Sequence, residues 1–430
     1  MEKHSNLIDL LGPEIQAGGT GNNTGKPPVI DHSADDYSLG KKPTPGIIVG
    51  LDIGTTKIVA AVGRESDQGK IELIGVGEAA SLGVIRGTIF NISKTTHSIK
   101  MALLEAFRRT HVKIDLVNVS LSGSQKSHLN HGILTRSDPD EEIRFEDIQK
   151  LKQSMQDVAL PAGETIVYMH PQEFIVDDVS DIKDPIGMCG RRIEADFRIA
   201  TGSVSSVNNL RKTMVNAGLR IRGIYPTPLA SGESILSQEE REAGVALVEI
   251  GGSTTSIIVY HHQIIRHVEV IPLGGSSITL DIKNWLHISL FQAELLKKEF
   301  GNALENSFMA NEFINAPTFS GKSITISKRN LAYLIQARME EIVALAFYSI
   351  KSSGYATELC AGIVLTGGTS LLPGIRDLTE SMTGLRCYIG SPDLYLAPNR
   401  LLPVEVYKQL LSPAYSTVIG LVKIGLDNKI

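Results

Sequence analysis

Cysteine, tryptophan and long apolar runs are the scarce features of this 430-residue chain. Its cysteines, Cys189, Cys360 and Cys387, are odd in number and far apart, with no CxxC spacing and no histidine at ligand distance. That excludes a disulfide framework and a zinc ribbon, and reduced thiols in a cytoplasmic setting are expected. No apolar stretch reaches the ~20 residues a spanning helix needs, and the start lacks the charged-then-apolar order of a signal peptide. Any membrane contact is therefore expected to be peripheral. Lys and Arg number 42 against 47 Asp and Glu, for a net charge of -5, and no basic stripe with interleaved aromatics is visible. Nucleic-acid binding has no support in that pattern.

Glycine, in contrast, is abundant and placed with purpose. Gly50-Leu51-Asp52-Ile53-Gly54-Thr55-Thr56-Lys57 is an apolar strand delivering an acid into a glycine turn with hydroxyl side chains, and Val248-Glu249-Ile250-Gly251-Gly252-Ser253-Thr254-Thr255 repeats the design. Glycine lets backbone N–H groups approach closely and threonine adds donors, so two such turns facing each other can grip the β- and γ-phosphates of a nucleotide. Asp52 and Glu249 would then face a metal through water, and Lys57 would neutralise a phosphate as a point charge. A third buried strand, starting at Gly362, ends in Gly367-Gly368 and offers a flat backbone surface for a nucleoside. Glu294 and Lys297, on a helical stretch, are candidates for ribose and base contacts. One glycine turn alone is ordinary turn chemistry; three in this order, each after an apolar strand, form a pattern.

The chain is too long for one core, so at least two domains are expected. Residues 1–45 are rich in Gly, Asn, Pro and Lys and read as a disordered tail. Inside it Leu7, Ile8, Leu10, Leu11 and Ile15 fall near helical spacing. The folded part opens as strand, turn, strand over 46–62 and a strand at 71–77. A helix over 93–109 and a strand at 117–121 follow. Within 122–199 the pattern changes to a polar loop, a helix over 145–157 and two strands, an α+β insert. Helix, strand and helix over 204–236 return to the core. The second half then repeats the first, with strands over 245–260 and 263–272, a helix over 331–352 and the strand from 362. This gives an α/β fold of two duplicated lobes around a cleft. Its parts are 46–121 and 200–243 for the first lobe, and 244–284 and 339–430 for the second, with an outer part at 285–338.

In this order the three turns resemble the actin, chaperone and sugar-kinase superfamily, whose lobes are of ribonuclease-H type. Further residues narrow the resemblance to the bacterial FtsA family: Ile74-Gly75-Val76-Gly77 with Arg86-Gly87, Leu121-Ser122-Gly123 before the insert, and His170-Pro171-Gln172-Glu173-Phe174 within it. Asp184-Pro185-Ile186-Gly187, Pro226-Thr227-Pro228-Leu229-Ala230, Glu239 to Gly244, and Tyr415-Ser416-Thr417 complete the set. The resemblance implies an actin-like, ATP- and Mg-binding division protein that polymerises. It would link the FtsZ ring to the cytoplasmic face of the inner membrane at the septum and recruit later division proteins. The insert would be an SHS2-like subdomain used in filament contacts and recruitment. The FtsZ tail would dock on 285–338, where Arg329 and Arg338 are the candidates for meeting an acidic peptide.

Three departures from the family pattern modify this expectation. Where strongly hydrolytic relatives place a Gln or Glu to orient water, this chain has Tyr225-Pro226-Thr227-Pro228, and Thr227 is a weak substitute. No catalytic residue is therefore assigned, and ATP hydrolysis is expected to be slow or negligible. Glu249 stands where the superfamily has Asp, and Ser253 where a third glycine is common, so a Ser β-carbon would crowd the γ-phosphate. The sequence ends at Ile430 without the family's basic amphipathic helix, so either the anchor is lost from this sequence, or the 7–15 segment substitutes for it, or, as is expected, a partner supplies attachment. Competing readings are a sugar kinase, which lacks its Asp base here, a chaperone switch, which lacks its peptide domain, and a pilus-assembly adaptor of related fold.

Overall fold

The computed structural model describes residues 46–309, 311–317, 323–398 and 401–427. The apolar segment at 7–15 lies outside the described residues. The first lobe begins with β1 (Ile47–Ile53), β2 (Lys57–Glu65) and β3 (Ile71–Ala80), then a small hairpin β4 (Val84–Ile85) and β5 (Thr88–Ile89), α1 (Ile92–Thr110) and β6 (Leu116–Leu121). The insert holds β7 (Gln125–Thr135), α2 (Phe145–Ser154), β8 (Glu164–Val176), β9 (Val179–Ile182) and β10 (Arg192–Ser203). Then come α3 (Val204–Ala217), β11 (Arg220–Pro226), α4 (Thr227–Ile235) and α5 (Gln238–Ala243). The second lobe runs through β12 (Val245–Ile250), β13 (Thr255–His261), β14 (Ile264–Ile271), α6 (Gly275–Leu286), α7 (Leu290–Phe300), β15 (Phe313–Pro317) and β16 (Ser323–Ser327). It ends with α8 (Lys328–Ser352), β17 (Gly362–Thr366), α9 (Ile375–Thr383), β18 (Cys387–Ile389), α10 (Val404–Leu410) and α11 (Ser416–Asp427).

The duplication is visible in the sheets. In the first lobe the strand order is β11-β6-β1-β2-β3, with β1 antiparallel to β2 and parallel to β6. In the second, β18-β17-β12-β13-β14 repeats the same order and the same senses. β12, β13 and β17 are buried along almost their whole length, which follows from helices covering both faces and explains why Val, Ile and Leu dominate their centres. On the other lobe, Asn91 caps α1 by accepting from Lys94 N–H, and the helix can lie on β3 only because of glycine. A Cβ at Gly77 would stand 2.0 Å from Ala102 O.

Between the two sheets pass α4 and α11. Their crossing is as close as backbones permit, since a Cβ at Gly420 would sit 1.6 Å from Ala230 O. Ser234 Oγ donates to Ser416 O at 2.8 Å and fastens the pair. Because α11 follows the second lobe in sequence but packs on β1 and β2, the C-terminal helix ties the lobes together.

The insert differs from its expected form. The stretch read as a polar loop is β7, which pairs with β10 along its length. Its outward residues are exposed and mostly polar, so alternation was too weak to announce a strand. β7 also pairs with β14 at Lys126/Glu269 and Gln125/Val270, which makes the insert's sheet continuous with that of the second lobe, nine strands in all. The expected division at residue 338 falls inside α8, one unbroken helix of 25 residues.

Candidate functional site

Each glycine turn places its acid at the mouth of the same cleft. β1 carries Asp52 to its carboxyl end, where Ser120 Oγ on the parallel β6 donates to Asp52 Oδ1 at 2.7 Å and accepts from Ile53 N–H at 3.1 Å. β12 delivers Glu249, whose Oε1 accepts from Thr417 Oγ1 at 2.8 Å while its buried Oε2 has no partner. Burial pushes Glu249 up to about 7, and the charge of neighbouring Asp52 adds to the shift. Burial also raises Asp52, opposed by its Ser120 hydrogen bond and by Lys57. The cleft has a volume of about 490 Å³, within the range of small-molecule sites.

Asp52, Gly54, Thr55, Thr56, Lys57, Glu249, Gly251, Gly252, Thr254, Glu294, Lys297, Gly367 and Gly368 all line this cleft. Ser253 does not; its hydroxyl donates to Thr55 Oγ1 at 2.6 Å and joins the two phosphate turns across the lobes. Lys57 is also less free than its sequence position suggests. Its Nζ is 3.3 Å from Glu78 Oε2 and 3.3 Å from the Tyr415 ring centroid, and burial lowers its pKa. Lys297 Nζ donates to Gly275 O at 3.0 Å and lies 2.6 Å from Glu294 Oε2, so the α7 pair is anchored to the start of α6. Gly367 has φ of +85°, and a Cβ there would meet Ile250 O at 2.6 Å, so only glycine fits this junction.

The turn after β14 was missed. Gly274, Gly275 and Ser276 open α6 against the second phosphate turn, with Gly275 N–H donating to Gly251 O at 3.0 Å. Ser276 and Thr369 line the cleft, and Thr369 Oγ1 donates to Gly251 O at 2.9 Å. A glycine pair directly after the strand at 263–272 and before a helical pattern is the available signal, but it carries no acid and so lacks the mark that singles out the other turns.

The carboxylates fit a hard cation poorly as a closed cage and well as an open one. Among the described residues no group of three or more His, Cys, Asp or Glu could hold a metal. Asp52 and the unpartnered oxygen of Glu249 could instead hold one through water, with phosphate oxygens completing its shell, the usual habit of Mg²⁺. At the first residue of α4, Thr227 is buried and donates to Leu121 O at 3.1 Å. No carboxylate or amide occupies that place.

Farther out, the two arginine candidates differ in how they are paired. Arg338 is committed to Asp281, at 2.7 and 3.1 Å, and to Glu341. It serves the α6–α8 contact, and with its side chain 29% exposed it stands beside Arg329 as a candidate for meeting an acidic partner. Arg329 is half-exposed, 3.9 Å from Glu305.

Against known proteins, residues 246–420 match the family model "Cell division protein FtsA" and residues 123–201 match "SHS2 domain inserted in FTSA". The chain is 34% identical to Cell division protein FtsA of Pseudomonas aeruginosa, covering 89% of this chain and 90% of that protein. It is 30% identical to the Escherichia coli protein of the same name, covering 89% and 91%. Among solved structures it matches the PilM-PilN type IV pilus biogenesis complex with a TM-score of 0.63 at 15% identity, over 88% of this chain and 98% of that one. It also matches MreB5 of Spiroplasma citri bound to ADP, with a TM-score of 0.51 at 14% identity over 89% and 99%. At those identities the structures establish the actin-like fold alone.

Proposed function

The chain belongs to the FtsA family of cell division proteins, and on that premise we propose that it binds ATP between its lobes and assembles into filaments. As a filament it links the FtsZ ring to the cytoplasmic face of the inner membrane at the septum, and its SHS2 insert meets later division proteins. The observation that carries the nucleotide reading is the convergence of three glycine turns and two carboxylates on one cleft. MreB5, of similar fold, has been crystallised with ADP and with AMPPNP. Backbone N–H groups of the turns at Gly54 and Gly251 would hold phosphates, Gly367 and Gly368 would lie under the nucleoside, and Mg²⁺ would be held through water by Asp52 and Glu249.

Slow turnover is part of the proposal. With Thr227 donating to a backbone carbonyl and no carboxylate or amide beside it, no side chain there serves as a base for an attacking water, so nucleotide gates assembly more than it is consumed. Phosphate release above roughly one per second would contradict this. For the FtsZ tail, the part around 285–338 remains the proposed seat, with Arg329 and Arg338 as its contacts. The test is pull-down with an FtsZ tail peptide. Arg329→Glu is expected to weaken capture about tenfold, the effect of ~1.4 kcal/mol. Undiminished capture by that variant would remove the tail from this surface.

A further inference from the structure

The outer face of α1 is apolar at its centre and basic at its edge. Met101, Leu104 and Phe107 are 42%, 37% and 43% exposed and share one side of the helix, at i, i+3 and i+6. Lys100 and Arg108 flank them, and neither has an acidic partner among the described residues. The one acid on α1, Glu105, is already satisfied by Arg109 at 2.7 Å and by the Glu78 N–H at 2.8 Å. Contiguous exposed apolar surface of this kind usually marks something that covers it.

What covers it is indicated by where the tail leaves the fold. The start of β1, Ile47 to Val49, lines a small depression together with Val112, Lys113 and Ile114, the residues that follow α1. The chain before Gly46 therefore departs beside the C-terminal end of this face. Residues 16–45 are the linker in sequence between the apolar segment and β1, and thirty residues are enough chain to span the ~28 Å length of the 19-residue α1. Beyond the linker lie Leu7, Ile8, Leu10, Leu11 and Ile15, and between residues 5 and 25 the sequence has Asp9 and Glu14 but no Lys or Arg. An acidic apolar segment and a basic apolar face are complementary. Because both belong to one chain, they meet at an effective concentration far above that of separate molecules, where even a weak contact is populated.

We propose that residues 7–15 dock in cis on the outer face of α1, with Leu7 and Leu11 against Met101, Leu104 and Phe107 and the acids toward Lys100 and Arg108. The segment thereby masks an apolar face of the first lobe. Its acids argue against an anionic lipid surface as its own seat.

The test uses the full-length chain with a photoreactive benzophenone amino acid at position 104. Equal amounts of isotopically heavy and light chains are mixed and the products mapped by mass spectrometry. Cross-links from 104 into 5–16 within one isotopic form are expected. The double change Leu7→Asp with Leu11→Asp should lower their yield about tenfold. In the same variant, amide hydrogen exchange across 100–110 should speed by a similar factor while β12 and β13 stay unchanged, which separates undocking from unfolding. The proposal is overturned by absence of links to 5–16, by links only between heavy and light chains, which would seat a second copy, or by protection of α1 that needs anionic vesicles or ignores the tail substitutions.

Discussion

Glu249 is held by Thr417 through one oxygen, while the other is buried without a partner. Its pKa rises from 4.5 to about 7, so in the folded, nucleotide-free chain it keeps a proton that the unfolded chain has released. That contribution is fully present below pH 4.5 and is lost as pH rises through about 7, by roughly 3 kcal/mol at the upper bound. Asp52, raised by burial, adds in the same direction. Glu249→Gln is therefore expected to flatten the fall in melting temperature between pH 5 and 8 and to leave the empty protein more stable than the parent at pH 8. A variant with the parent's slope would show that burial there is not costly. The residue types at the cleft were readable because each follows an apolar strand. The partners of Lys57 and Arg338 were not, since Tyr415 and Asp281 stand far off in the chain and only the fold brings them close.

Most elements declared themselves through period and composition. β12 is apolar but for Glu249 and β17 carries Ile, Val and Leu at its centre, α8 carries a stripe through Ile335, Met339 and Ile342, and α1 begins at a capping Asn. β7 did not, because its outward residues are solvated and its pairing with β10 and β14 depends on chain far away. The crossing of α4 and α11 was equally hidden: nothing local distinguishes Gly420 from a glycine that happens to lie in a helix. Gly420→Val should cost above ~4 kcal/mol, because the clash is with Ala230 backbone and cannot be relieved by a rotamer. Gly384→Ala meets nothing within 4 Å and suffers only from its φ of +72°, so it should cost about 1 kcal/mol. Urea midpoints of the two variants compare these directly, and equal losses would mean that the helices do not meet as described.

At the scale of the molecule, the contacts that join two lobes of one pattern include the α4–α11 crossing, the Ser253–Thr55 hydrogen bond between phosphate turns, and the β7–β14 pairing that fuses the insert to the second sheet. A nucleotide seated in the cleft would touch both lobes and the turn at Gly367, so its binding would be felt by the insert through continuous strands. The duplication was legible because the glycine turns repeat in sequence; the fusion was not, because it joins an insert of one lobe to an edge of the other. The decisive measurement is calorimetric titration of the full chain with ATP and Mg²⁺. The account predicts one site per chain. It also predicts at least tenfold weaker binding for Gly252→Val and Gly368→Val in protein whose melting shows it folded, each change filling the cleft from a different turn. Absence of binding by the parent, or undiminished affinity in both folded variants, would contradict it.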